Sequence, residues 1–282
     1  MTWDELWEHF YYHLRIKRRA KTTVRFYRTT QRSLSRFAAA GGSLPAEPGA
    51  VNVKHLRAFM IWLEEQGLAA GGIHAHVRSL KALFGWAKRE DLITADPSAR
   101  LERPSLPRRH LPTMTSEQVG ALLGAARSTD QPLRDVAVLL TFFDTGLRLE
   151  ELITLRRDDI DAAKGVLRVI GKGDKERSVP IGTRALTSIN AYLLRERRPK
   201  HGGVQALFLS RRGLPMTRSC ISILLRRLSE SVGVERALTT PHTFRRGFAV
   251  EFLRNGGDVF TLQQILGHSN LEMTRRYVRL LS

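Results

Sequence analysis

The chain has 282 residues, enough for two domains that each bury a core, and 42% of them are hydrophobic, an ordinary share for a globular protein. Its charge is the outlying quantity: 46 Lys and Arg against 27 Asp and Glu give +19, so the expected partner is a polyanion, and nucleic acid comes before an anionic membrane. A single cysteine, Cys220, excludes an internal disulfide and a cysteine-rich zinc site; with no long apolar run and no basic-then-apolar start, a cytoplasmic protein is expected.

In chain order, Thr2 and Glu5 have capping-box spacing for a helix to about Lys17, with Leu6, Phe10 and Leu14 toward a core. A basic turn from Arg15 to Lys21 leads to a second helix, about Thr23 to Ala40. Its apolar side carries Val24, Tyr27, Leu34 and Ala38, and Arg25, Arg28, Arg32 and Arg36 form a stripe with no acid among them. Such a stripe suits contact with a phosphate backbone better than surface ion pairing. Asn52 caps a third helix to Gln66, closed by Gly67. A fourth, about Gly72 to Glu90, has an apolar seam (Ile73, Val77, Leu80, Phe84, Ala87) beside a second basic stripe of His74, Arg78, Lys81 and Lys88. Residues 1–96 thus read as a small helical DNA-binding domain. Four prolines and four arginines in 97–112, Arg108 and Arg109 among them, predict a semi-rigid extended linker lying along phosphates.

Residues 113–282 mix helices with a little sheet. Thr115 and Gln118 cap a helix to about Arg127, and an apolar helix spans about Leu133 to Asp144. A turn at 145–148 opens another. Strands are expected at 166–170, at 177–181 with Pro180 marking a sheet edge, and at 207–209. Helices follow at about 184–196 and 217–232. Pro241 suits a first helical position, which puts His242 and Arg245 on one face near a helix N-terminus; read alone, the stretch fits a phosphate site and an exposed basic helix with ordinary histidines equally well. Gly267 suits a helix C-cap, and Asn270 can cap the helix carrying Tyr277.

Among familiar chemistries, no Gly-x-Ser-x-Gly elbow supports serine hydrolysis, and no phosphate loop of the nucleotide-binding kind supports ATP use. His242 and His268 lack a helix-spaced ligand set, so no metal and no cofactor are expected.

Five pieces stand in a fixed order: Thr-Gly-Leu-Arg148 with Glu151, the hairpin Gly-Lys172-Gly-Asp-Lys-Glu-Arg, His242-x-x-Arg245, Leu-Gly-His268, and Tyr277. In these the chain resembles the tyrosine recombinases of the phage-integrase and Xer type, over about residues 113 to 282. Residues 1–96 are more loosely similar to that family's helical core-binding, SAM-like domain. The resemblance implies a mainly α protein: a helical core-binding domain, then a mixed α+β catalytic domain with a small β-sheet. It also implies a site-specific DNA recombinase or integrase that cleaves and rejoins strands through a 3′-phosphotyrosyl link, without metal or ATP.

By the same resemblance Tyr277 is the nucleophile, and Arg148 and Arg245 clamp the non-bridging oxygens. Lys172 is the general acid for the 5′-oxygen, with Lys175 as a fallback. His242 assists proton transfer at Tyr277, His268 donates a hydrogen bond to the phosphate, and Glu151 supports its neighbours; Arg275, Arg276 and Arg279 flank the nucleophile. The implied partners are double-stranded DNA recombination sites, gripped by both domains, with four protomers, like or mixed, on DNA and a directionality factor in some settings. No membrane role is implied, and nucleoid association is. The role is mobile-element integration or excision, or chromosome-dimer resolution. Two alternatives stay open: a relaxing enzyme like the type IB topoisomerases, and a DNA-binding accessory protein. Only Val278 to Ser282 follow Tyr277, where many relatives carry a longer coupling helix, so two expectations stand: protomers couple through another surface, or the chain is a truncated or divergent copy.

Overall fold

Helix α1 (Trp3–Ile16) begins where two orphan amides are satisfied reciprocally: Thr2 Oγ1 accepts from Glu5 N–H, and Glu5 Oε2 accepts from Thr2 N–H at 2.7 Å. Its face of Leu6, Trp7, Phe10 and Leu14 is buried. In a computed structural model that describes residues 1–105, 113–171, 176–278 and 280, the chain divides into two compact units, Met1–Arg109 and His110–Ser282.

In the first unit, α2 (Lys21–Ala39) starts two residues before the expected Thr23 and buries Thr30, Leu34 and Phe37, while Ala38 is exposed. The apolar face is therefore rotated toward Phe37 and includes a polar residue. Thr30 Oγ1 lies 3.0 Å from His76 Nδ1, and both side chains are buried. Asn52 caps α3 (Val53–Glu65) through Lys54 N–H and His55 N–H. The whole expected seam of α4 (Ala70–Arg89) is buried, together with His76, whose pKa is lowered by that burial. The first residues of the expected linker pack on this unit. Ser98 and Leu101 are 0% and 2% exposed, with Ser98 N–H and Oγ bonded to Asp96 Oδ1, because an apolar Leu101 completes this unit's core. Arg108 and Arg109 lie outside the described residues.

In the second unit, α5 (Ser116–Ala126) has the Thr115–Gln118 capping box and precedes α6 (Pro132–Thr145), which packs on the later helices through Phe142 stacked on Phe244 at 5.5 Å. After α7 (Leu149–Thr154) come β1 (Ile160–Asp161), which sequence reading missed for its brevity, β2 (Val166–Ile170) and β3 (Glu176–Pro180). They form an antiparallel sheet in the order β1-β2-β3, with Pro180 on the edge strand opposite Val166. Helices α8 (Thr183–Arg195), α9 (Arg218–Val232), α10 (Pro241–Arg254), α11 (Val259–Leu266) and α12 (Leu271–Val278) complete the unit.

The strand expected at 207–209 is not one: only isolated bridges pair Arg156 with Ala206 and Leu209 with Pro215. Its apolar residues are buried, as the pattern required, but other groups satisfy the backbone. Buried Arg197 donates to the carbonyls of Val204, Ala206 and Leu207, Leu207 N–H reaches Leu155 O, and Leu209 N–H reaches the Tyr192 hydroxyl. No described helix is long and apolar enough to cross a membrane.

Candidate active site

The site starts at the end of α6. Gly146 closes that helix at φ +58, in the left-handed region, and a Cβ there would stand 2.5 Å from the Phe248 ring. This tight closure delivers Arg148 two residues later as the N-cap of α7. Arg148 N–H donates to Glu151 Oε2 at 2.8 Å, Nη1 to Glu151 Oε1 at 2.9 Å, and Nη2 to the carbonyl of Gly267 at 3.0 Å.

Glu151 is 4% exposed and also accepts two bonds from Arg177 of β3, Nη1 to Oε1 at 2.8 Å and Nη2 to Oε2 at 2.9 Å. Burial alone raises its pKa, but the bonds from Arg177 and Arg148 outweigh burial and hold it below the usual value, so the carboxylate is ionised. Arg177 Nε donates to the carbonyl of Ile265 at 2.8 Å.

Arg245 of α10 is 5% exposed and donates to three neutral acceptors: Gly146 O at 2.8 Å, Leu266 O at 2.6 Å and His268 Nε2 at 3.0 Å. Among the described residues no carboxylate pairs with it. Burial, then the charge of Arg148, lowers its pKa to about 10, which leaves it charged at neutral pH. A buried cation with no counter-ion is costly, and an incoming anion relieves that cost.

His268, 8% exposed, has both ring nitrogens engaged. Because the guanidinium can only donate, Nε2 accepts, so Nδ1 carries the proton and donates to Thr274 Oγ1 at 2.8 Å. Burial and then the charge of Arg245 push its pKa down to about 4, and the ring is neutral. In this arrangement His268 orients Arg245 and has no N–H to offer a phosphate, unlike the expectation from resemblance. The Tyr277 ring of α12 stacks on it with centroids 6.0 Å apart, half-buried against Ala249, Leu262 and Leu266.

Of the expected set, Arg148, Glu151, Arg245, His268 and Tyr277 therefore converge. His242 is exposed on the first turn of α10, whose N-cap Thr240 accepts from Thr243 N–H, and no hydrogen bond engages its ring among the described residues. Arg275 and Arg276 are exposed on α12; Lys172, Lys175 and Arg279 lie outside the described residues. Arg177, quoted only as part of a hairpin, was missed as a site residue. Its signal was alternation: it shares the inward face of β3 with buried Val179, an unusual place for a cation without a partner. No cluster of His, Cys, Asp or Glu among the described residues is arranged to hold a metal.

Considered by itself, the first unit has an open groove of about 960 Å³ lined mainly by basic residues (Arg15, Arg19, Lys21, Arg25, Arg28 and Arg32), with Asp4 and Glu8 also in its lining. Arg28 lies over the Tyr11 ring at 5.5 Å, Arg36 over Trp62 at 5.8 Å and Arg78 over Phe26 at 5.7 Å, so aromatic faces orient three exposed arginines. Lys81 is half-buried, and its Nζ donates to Ala99 O at 3.4 Å.

The description "phage integrase family" fits residues 112–282, and "phage integrase SAM-like domain" fits residues 5–102. The chain is 34% identical over 279 residues to tyrosine recombinase XerD of Shewanella oneidensis, covering 97% of this chain and 89% of that protein. It is 38% identical over 231 residues to tyrosine recombinase XerD of Proteus mirabilis, covering 80% and 74%. The chain belongs to the phage integrase family of tyrosine recombinases. It is thus a site-specific recombinase, mainly α with a small antiparallel sheet. Its fold is shared with the Tn1549 transposon integrase solved with circular intermediate DNA (TM-score 0.80, 23% identity, 98% and 95% coverage) and with a lambda integrase dimer bound to a COC' core site (0.76, 20%, 97% and 97%).

Proposed function

We propose that Tyr277 attacks a DNA phosphate held by Arg148 and Arg245. The Tyr277 oxygen–phosphorus bond forms as the bond to the 5′-oxygen breaks, giving a 3′-phosphotyrosyl link and a free 5′-hydroxyl; reversal by another 5′-hydroxyl rejoins strands. The single observation that carries this reading is Arg245, buried, charged, without a paired carboxylate among the described residues, and beside the ring that stacks with Tyr277. Charge developing on the non-bridging oxygens would meet two pre-set guanidinium groups. Glu151 and His268 would hold those groups in place. Lys172 would protonate the 5′-oxygen, and exposed His242 would relay the proton of Tyr277.

Residues 1–96 would act as the core-binding domain, with Arg25, Arg28, Arg32, Arg36 and Arg78 on phosphates. Residues 97–112 would serve as the connecting stretch, with Arg108 and Arg109 on DNA, and 113–282 as the catalytic domain. The substrates would be double-stranded recombination sites in the cytoplasm, on the nucleoid. Assembly would be a tetramer on DNA, of one chain or two, with a directionality factor where the reaction must run one way. The likeness to tyrosine recombinases XerD and XerC favours this reading over simple relaxation. The test is a nicked suicide duplex that traps the covalent complex. Wild type is expected to trap it, and Tyr277→Phe to bind equally and trap none; trapping by that variant removes Tyr277 from its role.

A further inference from the structure

Glu151 is saturated. Its two oxygens accept four hydrogen bonds, two from Arg148 and two from Arg177, which fills the capacity of a carboxylate. Arg177 takes the favoured two-pronged geometry; Arg148 is left with one side-chain bond to the acid and a side chain 35% exposed. Left alone with Glu151, the Arg148 guanidinium would turn to make the stronger parallel fork itself, and its charge would face the acid and not the substrate.

We infer that Arg177 is a positioning residue: by occupying the fork on Glu151 it keeps Arg148 free for the scissile phosphate. This rests on the reading above that Arg148 binds that phosphate. Two further contacts fix Arg177 in this place. Its Nε is held by the carbonyl of Ile265, and the absence of a side chain at Gly267 leaves it room, since a Cβ there would stand 3.2 Å from its Cδ, Nε and Cζ. The segment that seats Arg177 is the one whose Gly267 carbonyl receives Arg148. The cluster of Arg148, Arg177 and Arg245 around one acid leaves two positive charges uncompensated, and Arg177 is the member spent on the acid.

The experiment measures single-turnover covalent capture on the suicide duplex for Arg177→Met, Glu151→Gln and the double variant, on an ordinary phosphodiester and on a neutral methylphosphonate at the scissile position. Arg177→Met is expected to slow phosphodiester cleavage ~100-fold, the loss typical of one misplaced charge-stabilising group. Glu151→Gln in that background removes the competing fork and should restore at least ~10-fold. On the methylphosphonate, which needs less charge neutralisation, the deficit should shrink to under ~10-fold. Equal deficits on both substrates, or a double variant no faster than Arg177→Met, overturn the inference. Should Arg177→Met fail to fold by circular dichroism, Arg177→Lys, which keeps the charge and loses the fork, takes its place in the same pairs. Arg148→Ala is measured alongside. Undiminished capture by Arg148→Ala sinks the reading of Arg148, whereas inactive Arg148→Ala with unaffected Arg177 variants sinks only this inference.

Discussion

Arg245 donates to His268 and receives nothing in return: the imidazole Nε2 acts as the acceptor at 3.0 Å, and the ring proton points the other way, to Thr274. The histidine of this site is thus read as a neutral brace for an arginine. Protonating Nε2 would set two cationic donors head to head, the second reason after burial for its pKa of about 4.

That depression has a consequence for stability. The folded state binds the His268 proton less well than the unfolded chain, whose histidines titrate near 6.5. The contribution is therefore present above pH 6.5 and lost as the pH falls toward 4. Between pH 7 and pH 5 it amounts to about 2 kcal/mol. His268→Gln, which does not titrate, should lose that much less stability over the same interval. Urea unfolding read by hydrogen exchange of α10 and α11 peptides checks this, and equal acid losses in both proteins would contradict it.

Gly146→Ala should damage stability and chemistry together. The left-handed φ and the 2.5 Å approach to Phe248 predict a cost of roughly 1–3 kcal/mol. Because the Gly146 carbonyl seats Arg245, covalent capture should also slow at temperatures where the variant is fully folded. Gly247→Ala, one turn along α10 from Thr243 and with open space around its Cβ, is the control, and should be neutral or stabilising by up to about 1 kcal/mol.

DNA affinity should fall steeply with salt. Arg25→Ala and Arg32→Ala, both in the basic groove of the first unit, should each reduce the slope of log K against log salt by about 1 while leaving sequence preference unchanged. Filter binding between 50 and 200 mM salt, about the range over which counterion release is readily seen, checks this. Unchanged slopes would move the contact elsewhere.

Thr30→Val keeps the shape of the side chain and leaves buried His76 Nδ1 without its partner, at a cost of about 1–3 kcal/mol. All four tryptophans, Trp3, Trp7, Trp62 and Trp86, lie in the first unit, so tryptophan fluorescence reports its melting separately. A melting point unchanged by the substitution would assign the pair no energetic role.

Most helices were legible because their signals are local. Thr2 with Glu5, Asn52, Thr115 with Gln118 and Pro241 all act within one turn, and each stands where the pattern put it. The apolar seam of α4 is equally local. Apart from β1, too short to leave a pattern, the failures share a different cause: the groups that decided the outcome were far off in the chain. Leu207–Leu209 has the composition of a strand, yet Arg197, Leu155 and Tyr192 take its backbone bonds. Phe37 replaces Ala38 on the buried side of α2 because the packing of the other helices sets that face. In the site, Arg148, Glu151, Arg245, His268 and Tyr277 were readable through resemblance, since side-chain identity is what a motif records. Arg177 and Thr274 were not, because their importance lies in whom they touch.

The end of α11 presents three successive carbonyls, Ile265, Leu266 and Gly267, and each receives a different arginine: Arg177, Arg245 and Arg148. They lie at the negative end of a helix, where cations are favoured. What spaces the three charges is thus peptide backbone, which no side-chain substitution can delete. The vulnerable quantity is counting: one residue inserted into or removed from Val259–Leu266 would shift all three seats at once, so helix length here is as stringent a requirement as any catalytic side chain.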